Sequence, residues 1–322
     1  MQIASMVVLG FVLDLLLGDP PNWPHPVKLM GRAISRFTKR FNRETDSAQT
    51  RRFWGGVLWF LIVGGTGIIA LGIMWGGAQL NRWLTLALGT YLSYTCLSIR
   101  GLVIESQKII HSLQGHHLEK ARRQVGMIVG RDTDQLSEEE VCQATIETVA
   151  ENTSDGVIAP MVCLIIGGPV LGLMYKAVNT LDSMVGYQNE KFADFGRFSA
   201  CADDVINYLP ARLTWVLLML GSMLLHYDFR TAFIVGRRDR KKHRSPNSGF
   251  SESVVAGALD LRLGGPHYYF GELVTKPYIG LASAKSARTA DIKLTLRLLY
   301  VAAWLCLSLC VILRYFLWKG LA

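Results

Sequence analysis

Charge is scarce in this sequence. Only 18% of its 322 residues are Asp, Glu, Lys or Arg, whereas half are hydrophobic. A soluble domain usually carries about a quarter charged residues. With a mean hydropathy of +0.26, the chain falls in the membrane class. Cysteine is sparse too: Cys96, Cys142, Cys163, Cys201, Cys306 and Cys310 include no CxxC pair. Several stand in apolar runs, where Cys behaves as a small hydrophobe. That excludes a disulfide framework and a zinc-finger spacing. No HxxxH pair occurs among the seven histidines, and a lone His such as His226 reads as structural. The nucleotide and nucleophile signatures are missing as well: no Walker A motif, no Rossmann glycine fingerprint and no GxSxG elbow. Any ATP would bind without a P-loop. Strand signals, internal repeats and low-complexity tracts are nearly absent, so the expected class is all-α.

What the chain has is long apolar runs and a basic excess. A span needs about 20 apolar residues. Residues 1–17, 53–80, 83–99 and 295–318 qualify. The first lacks a basic leader and a small-residue cleavage site, so it is expected to be a retained span. Residues 156–174 are long enough but broken by Gly167-Gly168-Pro169, and 213–225 is short. The expectation is a polytopic protein with about 4–6 transmembrane or re-entrant helices. The net charge of +9 could serve nucleic acid, but no recognition signature accompanies it. It is better read as positive loops facing the cytoplasm and anionic lipid. Residues 18–52 carry Lys28, Arg32, Arg36, Lys39, Arg40, Arg43, Arg51 and Arg52; residues 227–293 include Arg237, Arg238, Arg240, Lys241, Lys242 and Arg244. Loops about 18–52, 100–155 and 227–293 are therefore assigned to the cytoplasm, within one membrane-embedded catalytic domain over 1–322. Parity then requires that both broken segments span or that neither does. The Gly-Gly-Pro break favours re-entry, with 175–210 inside.

Residues 101–150 read as soluble amphipathic helix, with Leu102, Ile109, Ile110 and Leu113 on a helical period. Ser137 and Glu140 form a capping box ahead of Val141, Ile146 and Val149.

Five polar constellations punctuate the apolar frame. Asp14 lies inside an apolar run, where a carboxylate is expensive, and Asp19 and His25 follow in a turn-forming stretch. Glu147, Glu151 and Asp155 are spaced four apart, so a continuous helix would stack three carboxylates on one face. Their repulsion asks for a counter-ion such as Mg²⁺; Asn152 stands among them. Lys176, Asn179, Thr180 and Ser183 share a helical face, with Asp182 at its edge, a set suited to a phosphate and its metal. Asp203 and Asp204 precede Asn207 and Arg212; adjacent carboxylates suit Mg²⁺, and the guanidinium suits phosphate. Ser245-Pro246-Asn247-Ser248-Gly249 reads as a loop before a small-residue helix. The bland alternatives are a turn at Asp19, a solvated acidic face at 147–155 and ordinary amphipathic helix elsewhere.

Taken together, these stretches resemble the adenosylcobinamide-phosphate synthase family of cobalamin biosynthesis, the CbiB type. The resemblance rests on Gly18-Asp19-Pro20 with His25-Pro26-Val27, on 151–156, on Asn179 through Tyr187, on Asp203-Asp204 with Asn207 and Pro210-Ala211-Arg212, and on 245–249. It implies an ATP- and Mg²⁺-dependent amide ligase joining adenosylcobyric acid to (R)-1-amino-2-propanol or its O-phosphate. An acyl phosphate would make the carboxylate attackable, and such catalysis is mostly positioning and charge neutralisation. On this reading Glu147, Glu151, Asp155, Asp182 and Lys176 are catalytic candidates. Glu151, Asp155, Asp182, Asp203 and Asp204 are metal candidates. Asp14, Asp19, His25, Asn152, Asn179, Thr180, Asn207, Arg212 and Asn247 would bind substrate or phosphate. The implied setting is the inner membrane, with an active face toward cytoplasmic ATP. The implied partners are the corrinoid, the amine and the bilayer, with no nucleic acid, and association with itself or with other late cobalamin-assembly enzymes is compatible. Two rival readings are an intramembrane Mg²⁺-diphosphate prenyltransferase-like enzyme and a transporter subunit.

Overall fold

The computed structural model describes residues 2–20 and 23–320. Met1 of the expected first span and Pro21 of the first motif lie outside the described residues. So does the side chain of Trp318, at the end of the last expected span. Helices dominate, as composition predicts. Among the described residues, four helical stretches are long and apolar enough to cross a membrane: Ala48–Leu80, Arg82–Gln114, Glu138–Val185 and Thr289–Phe316. A fifth arises if Arg197–Ile206 and Tyr208–Leu224, separated at Asn207, count as one. The first helix, α1 (Gln2–Leu17), is apolar but only 16 residues long.

The chain forms two compact units. The first comprises Met1–Ser98, Ala159–Asn207 and Leu307–Ala322; the second comprises Ile99–Ile158 and Tyr208–Cys306.

In the first unit, α1 ends where Gly18 takes a positive φ of 63° and its N–H bonds the Asp14 carbonyl at 3.0 Å, the left-handed stop that glycine supplies. The Tyr91 and Tyr94 hydroxyls donate to the Pro24 and Gly18 carbonyls, tying this turn to α4 (Arg82–Tyr94). Helix α2 (Pro26–Phe41) docks on α3 (Ala48–Leu80) through Phe37, Phe41 and Trp54; the Phe41 and Trp54 rings stack at 4.4 Å. Along α3, Phe60, Ile68, Ile69 and Trp75 are all exposed, which is stable only where lipid replaces water. Helix α8 (Ala159–Val185) breaks at the expected place, with Gly168 at φ 65° and Pro169 following. Beyond it, Arg51 donates to the Glu190 and Lys191 carbonyls at 2.8 and 2.5 Å, and Arg52 pairs with Asp194 at 2.8 Å. Residues 190–194 therefore sit at the same end of this unit as the basic stretch 42–52. Helix α9 (Arg197–Ile206) follows in the same unit.

In the second unit, α5 (Ile99–Gln114), α6 (Leu118–Val125) and α7 (Glu138–Asn152) form the amphipathic region expected from periodicity. Ile109, Ile110, Val141, Ile146 and Val149 are buried, and both reciprocal bonds of the Ser137–Glu140 capping box are present. One geometric expectation needs correction. Helix α7 stops at Asn152 and gives way to a π turn over Thr153–Ile158. Asp155 lies in that π turn rather than in the α-helix that carries Glu147 and Glu151. Helices α10 (Tyr208–Leu224), α11 (Phe229–Asp239), α12 (Ser248–Ala258) and α13 (Thr289–Gly320) follow; α13 belongs to this unit through Cys306.

Between α12 and α13 the chain makes four short strands absent from the sequence expectation: β1 (Leu263–Gly264) pairs with β4 (Tyr278–Ile279), and β2 (His267–Tyr269) with β3 (Glu272–Val274). The two-residue loop Phe270-Gly271 has positive φ at both positions, the primed turn that matches strand twist. Asp132 fixes this hairpin. Its carboxylate accepts the Phe270 and Gly271 N–H groups at 3.1 and 2.7 Å, and its own N–H donates to the Tyr268 carbonyl at 2.9 Å.

A second carboxylate anchors the other sheet. Asp239 is fully buried at the end of α11 and accepts from Arg238 at 2.7 Å, Lys242 at 2.8 Å and the Gly280 N–H at 2.9 Å. Burial alone would raise its pKa, but these donors together hold it at about 2. The unfolded value is about 3.9. The stabilisation is therefore complete above the unfolded value and lost as pH falls through about 2. Melting temperature should drop on acidification from about pH 5 to 3 more steeply for the wild type than for Asp239→Asn, which should start lower. Parallel slopes in detergent-solubilised protein would contradict this.

Candidate active site

The second unit contains a polar cavity of about 130 Å³. Its lining comes from four places: the loop 128–131, the Glu147–Asn152 end of α7, His243 with Glu252, and Tyr269 with Lys276 from the strand region. Glu147 is the organising group. It accepts the Gly264 N–H at 2.7 Å and the Gln143 amide at 2.8 Å, and its other oxygen lies 2.9 Å from Arg131 Nη2. Glu151 accepts the Ser248 hydroxyl at 2.8 Å, linking α7 to the start of α12. Asn152 donates back to the Thr148 carbonyl at 2.9 Å. Lys276 donates to the Tyr269 hydroxyl at 2.6 Å.

Glu252 is buried in a helix otherwise made of small and apolar residues. Burial, followed by the nearby Glu147 and Glu151 charges, pushes its pKa well above the usual carboxylate range. Its neighbour His243 stands 3.9 Å away, and burial moves that imidazole below the usual histidine range. Both shifts favour the uncharged forms, a protonated carboxyl and a neutral ring. A carboxyl with a raised folded pKa favours the fold below its unfolded value, and that benefit fades as pH rises toward the folded value. Glu252→Gln, which is neutral at all pH, should therefore melt no lower than wild type at pH 5 and higher at pH 8. A lower melting temperature at both would show that Glu252 is held as a carboxylate.

Three of the residues expected from sequence, Glu147, Glu151 and Asn152, meet in this cavity. Asp155, half-buried in the π turn, does not line it. Arg212 and Asn247 lie in the same unit and meet each other: Arg212 donates to the Asn247 side chain at 2.8 Å and is sandwiched between the Tyr208 and Phe250 rings. The remaining candidates lie in the first unit. Asp14 is buried in α1, and His25 faces Asp19 at 3.2 Å. Lys176 is buried and reaches Ser98 at 3.5 Å. Asn179 and Asp182 follow on α8, both half-buried, while Thr180 spends its hydroxyl on the Lys176 carbonyl. Asp203 accepts from Asn207 at 2.9 Å, and Asn207 in turn accepts from Tyr175 at 2.8 Å, a buried chain beside half-buried Asp204.

Arg131, His243, Glu252, Tyr269 and Lys276 are cavity residues that motif reading passes over. Only Glu252 has a local signal, a single acid inside a small-residue helix.

The model of the family described as CobD/CbiB protein matches residues 7–299. The chain belongs to this family. It is 52% identical over 294 residues to a protein of Listeria monocytogenes named cobalamin biosynthesis protein CobD, covering 91% of this chain and 93% of the relative. A Streptococcus sanguinis protein of the same name is 48% identical, covering 92% of each chain. A Salmonella arizonae protein named cobalamin biosynthesis protein CbiB is 44% identical, covering 96% of this chain and 97% of the relative. No solved structure matches the fold.

Among the described residues, no group of three His, Cys, Asp or Glu could hold a metal ion by itself. Mg²⁺ does not require such a cage, because it commonly takes one or two carboxylates and completes its shell with water and substrate phosphates. The cavity's anionic donors are all carboxylate oxygens, the hard ligands that Mg²⁺ prefers. Burial, followed by the Glu147 and Glu151 charges, raises the pKa of Glu252, so the cavity brings several carboxylates close together. The donor set fits Mg²⁺ shared with a phosphate.

Proposed function

We propose that this CobD/CbiB-family member works in cobalamin biosynthesis as an ATP- and Mg²⁺-dependent amide ligase. It joins adenosylcobyric acid to (R)-1-amino-2-propanol or its O-phosphate. The single observation that carries the reading is the cavity of the second unit, where Glu147, Glu151 and Glu252 face Arg131, Lys276 and His243. Joining a carboxylate to an amine requires that phosphate charge be neutralised and that the amine lose a proton. Glu151 is assigned to hold Mg²⁺, which when bound would neutralise phosphate oxygens. Asn152 orients the substrate. The neutral imidazole of His243 is suited to take the amine's proton, and Glu147 keeps Arg131 in place.

The remaining candidates have roles in the same reading. Asp155, Asp182, Asp203 and Asp204 are assigned to a second metal or base. Lys176 and Arg212 are assigned to phosphate, and Asp14, Asp19, His25, Asn179, Thr180, Asn207 and Asn247 to substrate positioning. The active face is assigned to the cytoplasm, where ATP is. The Lys- and Arg-rich stretches 18–52 and 227–293 support this assignment.

The test follows ADP release from detergent-solubilised protein. ADP formation should depend on the joint presence of adenosylcobyric acid and the amine. ADP release indifferent to both substrates, or none from folded protein with either amine, would overturn the reading.

A further inference from the structure

Arg131 is the least explained charge in the second unit. Its side chain is 4% exposed, yet its Nε and Nη2 atoms have no aligned hydrogen-bond acceptor among the described residues. The 2.9 Å approach of Nη2 to Glu147 is an ion pair off the hydrogen-bond line. A buried donor left unmatched is costly, and a guanidinium presents a fork built for two parallel bonds to carboxylate or phosphate oxygens. Arg131 lines the cavity, and so does a second cation, Lys276. The Asp132 clamp on the β2–β3 turn holds the Arg131 loop and the hairpin together.

Size narrows the ligand. Sites for drug-sized molecules enclose about 300–1,000 Å³, whereas this cavity measures about 130 Å³. A corrinoid ring or a whole nucleotide does not fit inside. A single tetrahedral anion with a short attached chain does.

We propose that Arg131 and Lys276 form a subsite for one phosphoryl group of a substrate. The inference builds on the ligase reading, which offers two sources of that group: the phosphate monoester of the amine and the terminal phosphate of ATP. Asp132 and Tyr269 act as positioning residues, the first for the Arg131 loop and the second for the Lys276 ammonium.

Equilibrium dialysis of the full chain in detergent, with radiolabelled orthophosphate, tests it. Saturable binding of one equivalent is expected. Lys276→Gln and Arg131→Lys should each weaken it by about tenfold or more, the second because a point charge cannot replace the fork. Lys276 is only part-buried, so Lys276→Gln stays informative if Arg131→Lys unfolds. Displacement of phosphate by the aminopropanol phosphate assigns the subsite to the amine, and displacement by ATP assigns it to the nucleotide. Displacement by neither, absence of binding to folded wild type, or unchanged binding in folded Lys276→Gln would overturn the subsite. The ligase reading is scored separately by amide formation. Phosphate binding lost in both variants without any amide from wild type keeps the subsite and removes the ligase. Amide formation with phosphate binding intact in both variants does the reverse.

Discussion

Glu147→Ala is expected to destabilise the second unit by about 3–5 kcal/mol, the range for breaking a buried ion pair on one side. The reasoning starts from what the carboxylate holds. It neutralises Arg131, whose side chain is 4% exposed, and it accepts the Gly264 N–H and the Gln143 amide. Alanine would remove all three at once and leave a guanidinium buried without a counter-charge. Glu147→Gln separates charge from shape, because its amide oxygen can still accept from Gly264 while the ion pair is lost. The double variant Glu147→Gln with Arg131→Gln should recover part of the stability lost by Glu147→Gln alone. Chemical or thermal unfolding in detergent gives the comparison. Glu147→Ala melting within about 1 °C of wild type, a shift that corresponds to well under 1 kcal/mol, would show that Arg131 is not held as described.

Glu151→Gln is the second large effect, and it should fall on rate rather than on stability. Glu151 is half-buried, lines the cavity and accepts one bond from Ser248. Glutamine keeps the size and the acceptor for that hydroxyl, so the fold should hold. It removes the negative charge proposed to meet Mg²⁺. Removal of one preorganised electrostatic group typically costs about 10²–10³ in kcat, and a loss of that size is expected in the ligase assay. Asp182→Asn, in the first unit, tests the other half of the site assignment in the same way. If both variants keep full activity in folded protein, neither carboxylate belongs to the chemistry.

How far the sequence speaks depends on whether a feature is local. The apolar runs at 53–80, 83–99 and 295–318, the capping box at Ser137 and Glu140 and the kink at Gly167-Gly168-Pro169 are written in short stretches of chain and are found where expected, whereas the run at 1–17 gives a helix of only 16 residues, shorter than a span. Glu147 and Glu151 were legible for the same reason, since helical spacing puts them on one face. Asp155 does not line the cavity, and the π turn at Thr153–Ile158 that carries it leaves no clear mark in composition. Arg131 and Lys276 come together through a hairpin whose turn is fixed by a carboxylate from a distant loop. Such a contact is non-local, and no spacing rule reports it. The basic run at 237–244 illustrates a different difficulty: read as a topology signal, it also supplies His243 to the cavity and Arg238 and Lys242 to buried Asp239.

The central claim is that the cavity around Glu147 and Glu151 serves an amide ligase. The most direct measurement is mass spectrometry of the product formed by detergent-purified protein with Mg²⁺, ATP, adenosylcobyric acid and either aminopropanol or its O-phosphate. The account predicts an ATP-dependent amide from wild type and its near-complete loss in folded Glu151→Gln. No amide with either amine from protein shown to be folded, or equal yields from wild type and Glu151→Gln, would contradict it.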